Sequence, residues 1–196
     1  MYYNLQVHSA YDLLNSTIKY ESLFLKLIKD NQKSVVIVDP NMYGAIKAHK
    51  EAKKSGVNLI QGLEVSLGYG IGLLKFNILC KSEKMFYKLL EISTKFMNEE
   101  EWTIENFANE MIDYKDDCVL IVVDELRDSM EFSYLNNLFS DYDFYFGFNE
   151  SFQVSPYGFY ENIVYTKPSF YLNKENYQQV IVSRAIRDNK KLNIQE

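Results

Sequence analysis

The sequence predicts a single α/β domain, built as a barrel of strands and helices. Three observations support this prediction. Short apolar runs rich in β-branched and aromatic residues alternate with longer segments of helical period, which is the pattern of α/β proteins with parallel strands. The chain has 196 residues, a length that fits a single domain. Its residues are 47% hydrophobic, which is too apolar for a disordered chain.

Each predicted strand is a short apolar run bounded by polar or turn-forming residues. The predicted strands cover residues 2–7, 34–38, 58–65, 74–80, 118–123, 142–148 and 162–166. Strands separated by helices in this way fit either a closed parallel barrel or a doubly wound open sheet, and we take the barrel as the prediction. In such a barrel the functional residues lie just after the strands.

Each predicted helix contains apolar residues at helical spacing. The predicted helices cover residues 19–31, 43–55, 83–97, 103–114, 129–139 and 174–189. In the first helix, apolar residues recur at i, i+3, i+4, i+7 and i+8 from Tyr20, which makes one amphipathic stripe. Ser82 and Thr103 are predicted N-caps, and Gly56 is predicted to end the second helix because glycine accepts a positive φ.

Charge and cysteine content exclude several classes of protein. A formal net charge of −6 and a pI near 5.1 argue against a free-standing nucleic-acid binder, because such binding depends mainly on Lys and Arg. No apolar stretch approaches the length of a membrane span. Cys80 and Cys118 each lie in an apolar run, where a buried thiol rather than a disulfide is expected. We therefore expect a cytoplasmic protein.

Glycines and lysines form two local patterns without an evident catalytic role. Gly68, Gly70 and Gly72 lie between two predicted strands and favour a hairpin-like turn or flexible loop over a phosphate cradle. Lysines surround His49 in the second helix, and this cluster is expected to be a solvated helix face.

His8 lies where the first predicted strand gives way to a loop. Gln6 and His8 point to the same side, because side chains alternate along a strand. Such a histidine is either a hydrogen-bonded structural residue or one ligand of a metal site, and a metal site needs partners. The carboxylates available at other strand ends are Asp39, Glu64 and Asp124.

The order of local motifs resembles the PHP (polymerase and histidinol phosphatase) domain of bacterial DNA polymerase III alpha subunits. Residues 5–15, LQVHSAYDLLN, resemble the family's H-x-H-S-x-Y-S-L-L-D start, and residues 39–45, DPNMYGA, resemble D-H-G-N-M-F-G-A with one residue deleted. Residues 48–65 end in GVNLIQGLEV, similar to G-I-x-P-I-x-G-x-E-V. Further similar segments are residues 79–90, 164–172 and 185–192.

The resemblance implies a distorted seven-stranded β/α barrel of the PHP type, with a metal site at the strand ends that is degenerate here. The positions that correspond to the family's metal site are Gln6, His8, Asn15, Asp39, Pro40, Glu64, Lys75, Pro168 and Phe170. His8, Asp39 and Glu64 retain the family's residue types, so any remaining metal site would use these three. The other replacements lack an anionic or imidazole donor, and Lys75 adds a positive charge.

The resemblance further implies that the chain is the N-terminal domain of a longer replicative polymerase. Without most metal ligands, this domain is expected to have no catalytic residues and no cofactor, and to act as a scaffold that packs against the polymerase core or other replisome subunits. Mg²⁺ and DNA are expected only for the parent polymerase. The alternatives are a residual metal-dependent phosphoesterase or exonuclease, and an interaction module of an unrelated α/β fold.

Overall fold

A single curled sheet is the framework of the fold. The structure is a computed structural model that describes residues 4–98, 102–124, 129–148 and 162–191. Within these ranges the sheet has six strands in chain order: β1 (Ser34–Asp39), β2 (Asn58–Tyr69), β3 (Gly72–Cys80), β4 (Cys118–Val122), β5 (Phe144–Phe148) and β6 (Ile163–Tyr165). The mixed α/β class and the barrel-like curl agree with the prediction.

Six α-helices lie within the described residues, and the first five in chain order pack on one side of the sheet. The six are α1 (Tyr20–Lys29), α2 (Ala45–Ser55), α3 (Glu83–Met97), α4 (Ile104–Met111), α5 (Ser129–Leu138) and α6 (Tyr177–Arg187). All six match predicted helices; α3 has the predicted bounds, and the others are shorter at one or both ends. The predicted continuation of α4 is a separate 3₁₀ turn, Ile112–Tyr114, and another 3₁₀ turn, Lys174–Asn176, precedes α6. Among the described residues, no helix is both long and apolar enough to cross a bilayer.

The helix ends follow the local sequence signals. The Ser82 hydroxyl accepts a hydrogen bond from the backbone N–H of Met85 at 3.1 Å. The Thr103 hydroxyl caps α4 in the same way, through the N–H of Asn106 at 3.2 Å. Gly56 has a φ of 70° after the last residue of α2, a conformation that costs a residue with a Cβ more than it costs glycine. These predicted caps are confirmed.

The strand directions differ from the all-parallel expectation. β1 pairs with β2 in parallel, but β3 is antiparallel to both β2 and β4, and β4, β5 and β6 are again parallel. The reason lies in the turn between β2 and β3, where Tyr69 pairs with Gly72 and Gly70 has a φ of 57°. A two-residue turn can join only antiparallel strands, so the predicted hairpin is confirmed and reverses β3.

The N-terminal segment lies between β1 and the chain that follows β6. The predicted first strand is reduced within the described residues to Val7, which forms single parallel bridges with Ile37 and Ser169; residues 1–3 lie outside the described ranges. The N–H of His8 donates to the carbonyl of Ser169 at 3.0 Å, and the N–H of Ser169 donates to that of Gln6 at 2.9 Å. The segment therefore connects β1 to the chain that follows β6.

Alternate residues of β1 face opposite sides of the sheet. Val36 and Val38 pack in one buried cluster with Leu79 of β3 and Ile121 of β4, on the concave side. On the convex side, the other residues of β1 pack with α1 and α2. A larger cluster joins β2–β5 to α3, α4 and α5. The concave side opens toward His8 and Glu64.

Candidate functional site

His8 lies at the centre of a polar group just after the bridge at Val7. Its side chain is 1% exposed, with Nδ1 3.1 Å from Asp12 Oδ2 and Nε2 3.6 Å from Glu64 Oε2. Neither ring nitrogen makes a hydrogen bond of acceptable geometry. The ring is therefore held between two carboxylates by proximity and packing rather than by directed hydrogen bonds.

Glu64 brings together three of the predicted positions besides its own. Gln6 Nε2 donates to Glu64 Oε2 at 3.4 Å, and Lys75 Nζ is 3.6 Å from Glu64 Oε1. The register explains the second contact, because Glu64 pairs with Asn77 and Lys75 is two residues away on the same face of β3, a diagonal neighbour. The Lys75 side chain is 50% exposed, whereas that of Glu64 is 13% exposed.

Phe170 covers His8 from the C-terminal segment. The two rings are stacked with centroids 4.7 Å apart and an interplanar angle of 24°. The guanidinium carbon of Arg184, on α6, lies 4.3 Å from the centroid of the Phe170 ring. An aromatic ring thus takes the place that the resemblance assigns to a metal ligand, and it contacts one imidazole and one cation.

Asn15 connects α6 to this polar group. Its Oδ1 accepts a hydrogen bond from Arg184 Nε at 2.8 Å and a weaker one from Arg187 at 3.3 Å. Its Nδ2 donates to Asp12 Oδ2 at 2.6 Å, the same oxygen that lies near His8. The amide therefore links a helix near the end of the chain to the His8 loop.

Asp39 is directed toward a different set of partners. Its Oδ1 accepts from the N–H of Ser9 at 2.6 Å, and its Oδ2 accepts from the hydroxyls of Ser9 at 2.5 Å and Tyr20 at 3.2 Å. Burial raises the pKa of the Asp39 carboxyl despite the hydrogen bonds from Ser9, which lower it. Asp39 thereby fixes the loop after His8 to α1, and its hydrogen bonds are not made with His8 or Glu64.

The remaining predicted positions contribute no polar contact to the site. Pro40 and Pro168 are exposed. Asp124 Oδ2 accepts from the backbone N–H of Lys75 at 2.8 Å, so it supports the strand that carries Lys75. His49 is exposed and packs edge-on against Phe86 with ring centroids 5.5 Å apart.

Three residues at the site were missed by the sequence reasoning. Asp12 and Arg184 contact His8 and Phe170, and Asn77 is fully buried with no hydrogen bond to either end of its amide. The spacing of His8 and Asp12 by four residues was an available signal. Asn77 was identifiable as the one amide side chain of β3, whereas nothing local pointed to Arg184.

The donor set does not fit a cluster of metal ions. Among the described residues, no three His, Cys, Asp or Glu side chains are arranged to hold one. The Lys75 ammonium lies beside Glu64, where it neutralises the carboxylate that a divalent cation would need. The arrangement can hold together the residues around His8, which we call the barrel mouth, through ion pairs and aromatic stacking.

The curated relatives of this chain are bacterial replication proteins. The DNA polymerase III subunit alpha of Mycoplasma genitalium is 34% identical over 93 residues, covering 47% of this chain and 11% of the relative. That of Staphylococcus epidermidis is 24% identical over 194 residues, covering 97% of this chain and 17% of the relative. The chain thus spans less than a fifth of the length of these relatives.

Two solved structures of other proteins have similar folds. One, from Bifidobacterium adolescentis, is assigned as a metal-dependent phosphoesterase; it has a TM-score of 0.54 and 8% identity and covers 96% of this chain and 84% of its own. The other, an amidohydrolase from Chromobacterium violaceum, has a TM-score of 0.54 and 9% identity over 92% of this chain and 96% of its own. At such identity the likeness concerns the fold.

The family assignment rests on the sequence match together with this fold. The PHP domain family matches residues 4–130, which include β1 to β4 and the segment that carries Gln6, His8, Asp39, Glu64 and Lys75. The chain therefore belongs to the PHP domain family.

Proposed function

We propose that this chain is the PHP domain of a replicative DNA polymerase III alpha subunit and that the domain is structural, without phosphoesterase or exonuclease activity of its own. The proposal that the domain is structural rests mainly on the contact between Lys75 Nζ and Glu64 Oε1 at 3.6 Å. A protein cation there neutralises the carboxylate that a metal ion would otherwise use. Metal-dependent phosphoester hydrolysis needs the ion to activate water and to balance phosphate charge.

The stacking of Phe170 on His8 supports the same proposal. The ring excludes water from a face of the imidazole and offers no lone pair for coordination. Asn15, another position implied as a ligand, is occupied by hydrogen bonds to Arg184 and Asp12. Side chains that would need to be free for metal binding instead hold the loop, the barrel and α6 together.

The polymerase context is proposed from the relatives. The parent enzyme would use Mg²⁺ and DNA at sites outside this chain, and this domain would pack against the polymerase core or other replisome subunits. A domain of net charge −6 suits this role, because it need not bind the DNA backbone itself.

Metal analysis combined with a hydrolysis assay tests the absence of activity. The purified chain is equilibrated with Mn²⁺ or Zn²⁺, desalted and measured by elemental mass spectrometry, and then assayed on bis(p-nitrophenyl) phosphate and single-stranded DNA. We expect substoichiometric metal and no hydrolysis above that of a His8→Ala control. Lys75→His, which removes the cation and adds a donor, is expected to bind more metal than the wild type.

A residual phosphoesterase is the second candidate, favoured by the position of His8 between Asp12 and Glu64. It requires stoichiometric metal and a hydrolytic activity that disappears in His8→Ala. That pair of results would overturn the structural role.

A deletion tests the scaffold role in the polymerase. We expect that removing this segment from the full-length alpha subunit reduces soluble yield and primer extension, whereas His8→Ala in the full-length protein leaves primer extension unchanged. Full primer extension after the deletion would contradict the scaffold role.

A further inference from the structure

The two cysteines of the chain lie directly opposite each other on neighbouring antiparallel strands. Cys80 is the last residue of β3 and Cys118 is the first residue of β4, and they are register partners. Both side chains lie on the convex side of the sheet, because Ile78 and Leu120, the next residues on the same faces of the two strands, pack there. Facing residues in such a pair have neighbouring Cβ atoms.

The hydrogen-bonding pattern of the two strands shows that the two cysteines lie close together. The N–H of Lys81 donates to the carbonyl of Asp117 at 2.9 Å, and the N–H of Val123 donates to that of Lys75 at 2.9 Å. These partners continue the register of the cysteine pair. Hydrogen-bonded and non-hydrogen-bonded pairs alternate along antiparallel strands, so the cysteines form a non-hydrogen-bonded pair with Cα atoms about 4.5 Å apart. Disulfides span Cα distances of about 4.4–6.8 Å.

The two thiols differ in their access to solutes. Cys118 is buried, and Cys80 is partly exposed and lines a cleft of about 440 Å³ between α2 and α3. The Cys80 thiol donates a hydrogen bond to the carbonyl of Ser82 at 2.9 Å. A small molecule in the cleft can therefore reach Cys80, whereas the buried Cys118 does not line the cleft.

We propose that Cys80 and Cys118 form a cross-strand dithiol that peroxide oxidises to a disulfide linking β3 to β4. The Cys80 sulfur attacks one peroxide oxygen, the O–O bond breaks, and water leaves with the thiol proton, which gives a sulfenic acid on Cys80. The Cys118 sulfur then attacks the Cys80 sulfur, the S–O bond of the sulfenic acid breaks, and the hydroxide leaves with the Cys118 proton as a second water. Two thiols are oxidised, and one peroxide is reduced to two waters.

Burial limits the rate of this oxidation. It raises the pKa of the Cys80 thiol and raises that of Cys118 to about 12, so the thiolate that reacts is scarce at neutral pH. The pair remains reduced without an oxidant and responds only to excess peroxide. The bond would close a loop that contains α3 and α4, and so would constrain the helical layer over β3 and β4.

Peptide mapping of the peroxide-treated chain tests the proposal. The folded chain is treated with hydrogen peroxide, free thiols are blocked with iodoacetamide after denaturation, and the digest is analysed by mass spectrometry. We expect a peptide containing Cys80 joined to one containing Cys118, the loss of both alkylatable thiols, and recovery of both after dithiothreitol. The melting temperature of the oxidised chain should rise, because the bond fits the existing geometry.

Single-cysteine variants provide the controls. Cys80→Ser should give no linked peptide and should leave Cys118 alkylatable, whereas Cys118→Ser should leave an oxidised Cys80 that forms no intramolecular link. The proposal is overturned if both thiols of the wild type survive peroxide, if Cys80 is converted to sulfinic acid without a link, if only intermolecular dimers form, or if the linked chain melts at a lower temperature.

Discussion

At the level of single residues, the charge that lies beside Glu64 is the ammonium group of Lys75. An ion pair with a half-exposed lysine contributes only about 0–1 kcal/mol to stability, so Lys75 is of little importance for folding. On the proposed function its main effect is on binding, because a divalent cation near Glu64 would have to displace or approach an ammonium group 3.6 Å from the same carboxylate.

The sequence identified several of the residues at this site, but not the direction in which each side chain points. His8 and Glu64 were predicted to lie together and do so, because both follow the strand pattern. Asp39 was placed with them from its position at a strand end, yet it turns to Ser9 and Tyr20. A strand end fixes where a backbone lies, whereas the rotamer of a carboxylate depends on donors supplied by other elements.

Asp39→Asn tests whether the buried carboxyl makes folding depend on pH. Burial raises the pKa of Asp39 above 3.8, so between 3.8 and the raised pKa the folded chain binds a proton that the unfolded chain has released. The contribution of Asp39 to stability therefore falls as the pH rises through this window. Asp39→Asn keeps the shape of the side chain without its charge and should lack this decrease.

Urea unfolding of both chains at pH values from about 4 to 7 measures the difference. The free energy of unfolding of the wild type, relative to Asp39→Asn, should decrease as the pH increases. If this difference in the free energy of unfolding stays constant or increases with pH, the pKa of the buried Asp39 carboxyl is not raised.

At the level of elements, the hairpin of β2 and β3 determines the strand directions in the sheet. Its turn reverses β3, so the interior of the curled sheet receives residues from strands of both directions. The glycine run predicted the turn, and apolar alternation predicted both strands. The pairing of β3 with β4 could not be predicted, because residues between Cys80 and Cys118 form two helices and their connection is compatible with either direction.

Gly62→Ala tests the close packing of β2 inside the curl. A Cβ at Gly62 would lie 2.6 Å from Val38 Cγ1 and 2.9 Å from the carbonyl oxygen of Ile78. The carbonyl oxygen cannot move without shifting β3, and the Val38 side chain is fully buried. We therefore expect a loss of about 1–3 kcal/mol in the free energy of unfolding. Chemical denaturation gives this value.

Gly68→Ala is the matched control on the same strand. Its nearest neighbour would be the carbonyl oxygen of Trp102 at 3.5 Å, an ordinary contact. We expect a change below about 1 kcal/mol. Equal effects of the two substitutions would mean that strand propensity, rather than the contact with Val38, determines the result.

The position of α6 shows the limit of local patterns. Arg184 binds Asn15, which is 169 residues away in sequence, and no periodicity within 174–189 distinguishes this arginine from a solvated one. The predicted helix was correct, but its role in covering the His8 loop depends on where the whole sheet brings it.

Closure of the sheet around Val7 is the feature that belongs to the whole molecule. The N-terminal segment bonds to β1 on one side and to Ser169 on the other. The sequence predicted the barrel class correctly. It could not predict that the first strand would be reduced to a single bridge, because the extent of pairing depends on partners from both ends of the chain.

Ser169→Pro tests the contribution of this closure. Proline removes the N–H that donates to the carbonyl of Gln6 at 2.9 Å. We expect a loss of about 1–3 kcal/mol in the free energy of unfolding, because a buried acceptor loses its partner. Hydrogen exchange of the His8 amide, which donates to Ser169, should become faster.

Ser169→Ala keeps the backbone donor and removes only the hydroxyl that accepts from Asn4. It should therefore protect the His8 amide nearly as well as the wild type does. Rapid exchange at His8 in both variants would show that the side chain, and not the backbone pairing, holds the segment.

The contact between the N-terminal segment and the chain after β6 has a consequence for synthesis on the ribosome. Asn4 and Ser169 are 165 residues apart, and translation adds about 5–20 residues per second. The N-terminal segment therefore waits roughly 10–30 s before its second partner emerges. His8 acquires its aromatic cover only when Phe170 leaves the exit tunnel. Arg184 of α6, which packs on Phe170, emerges later still, so a nascent chain stalled before Ser169 lacks this cover.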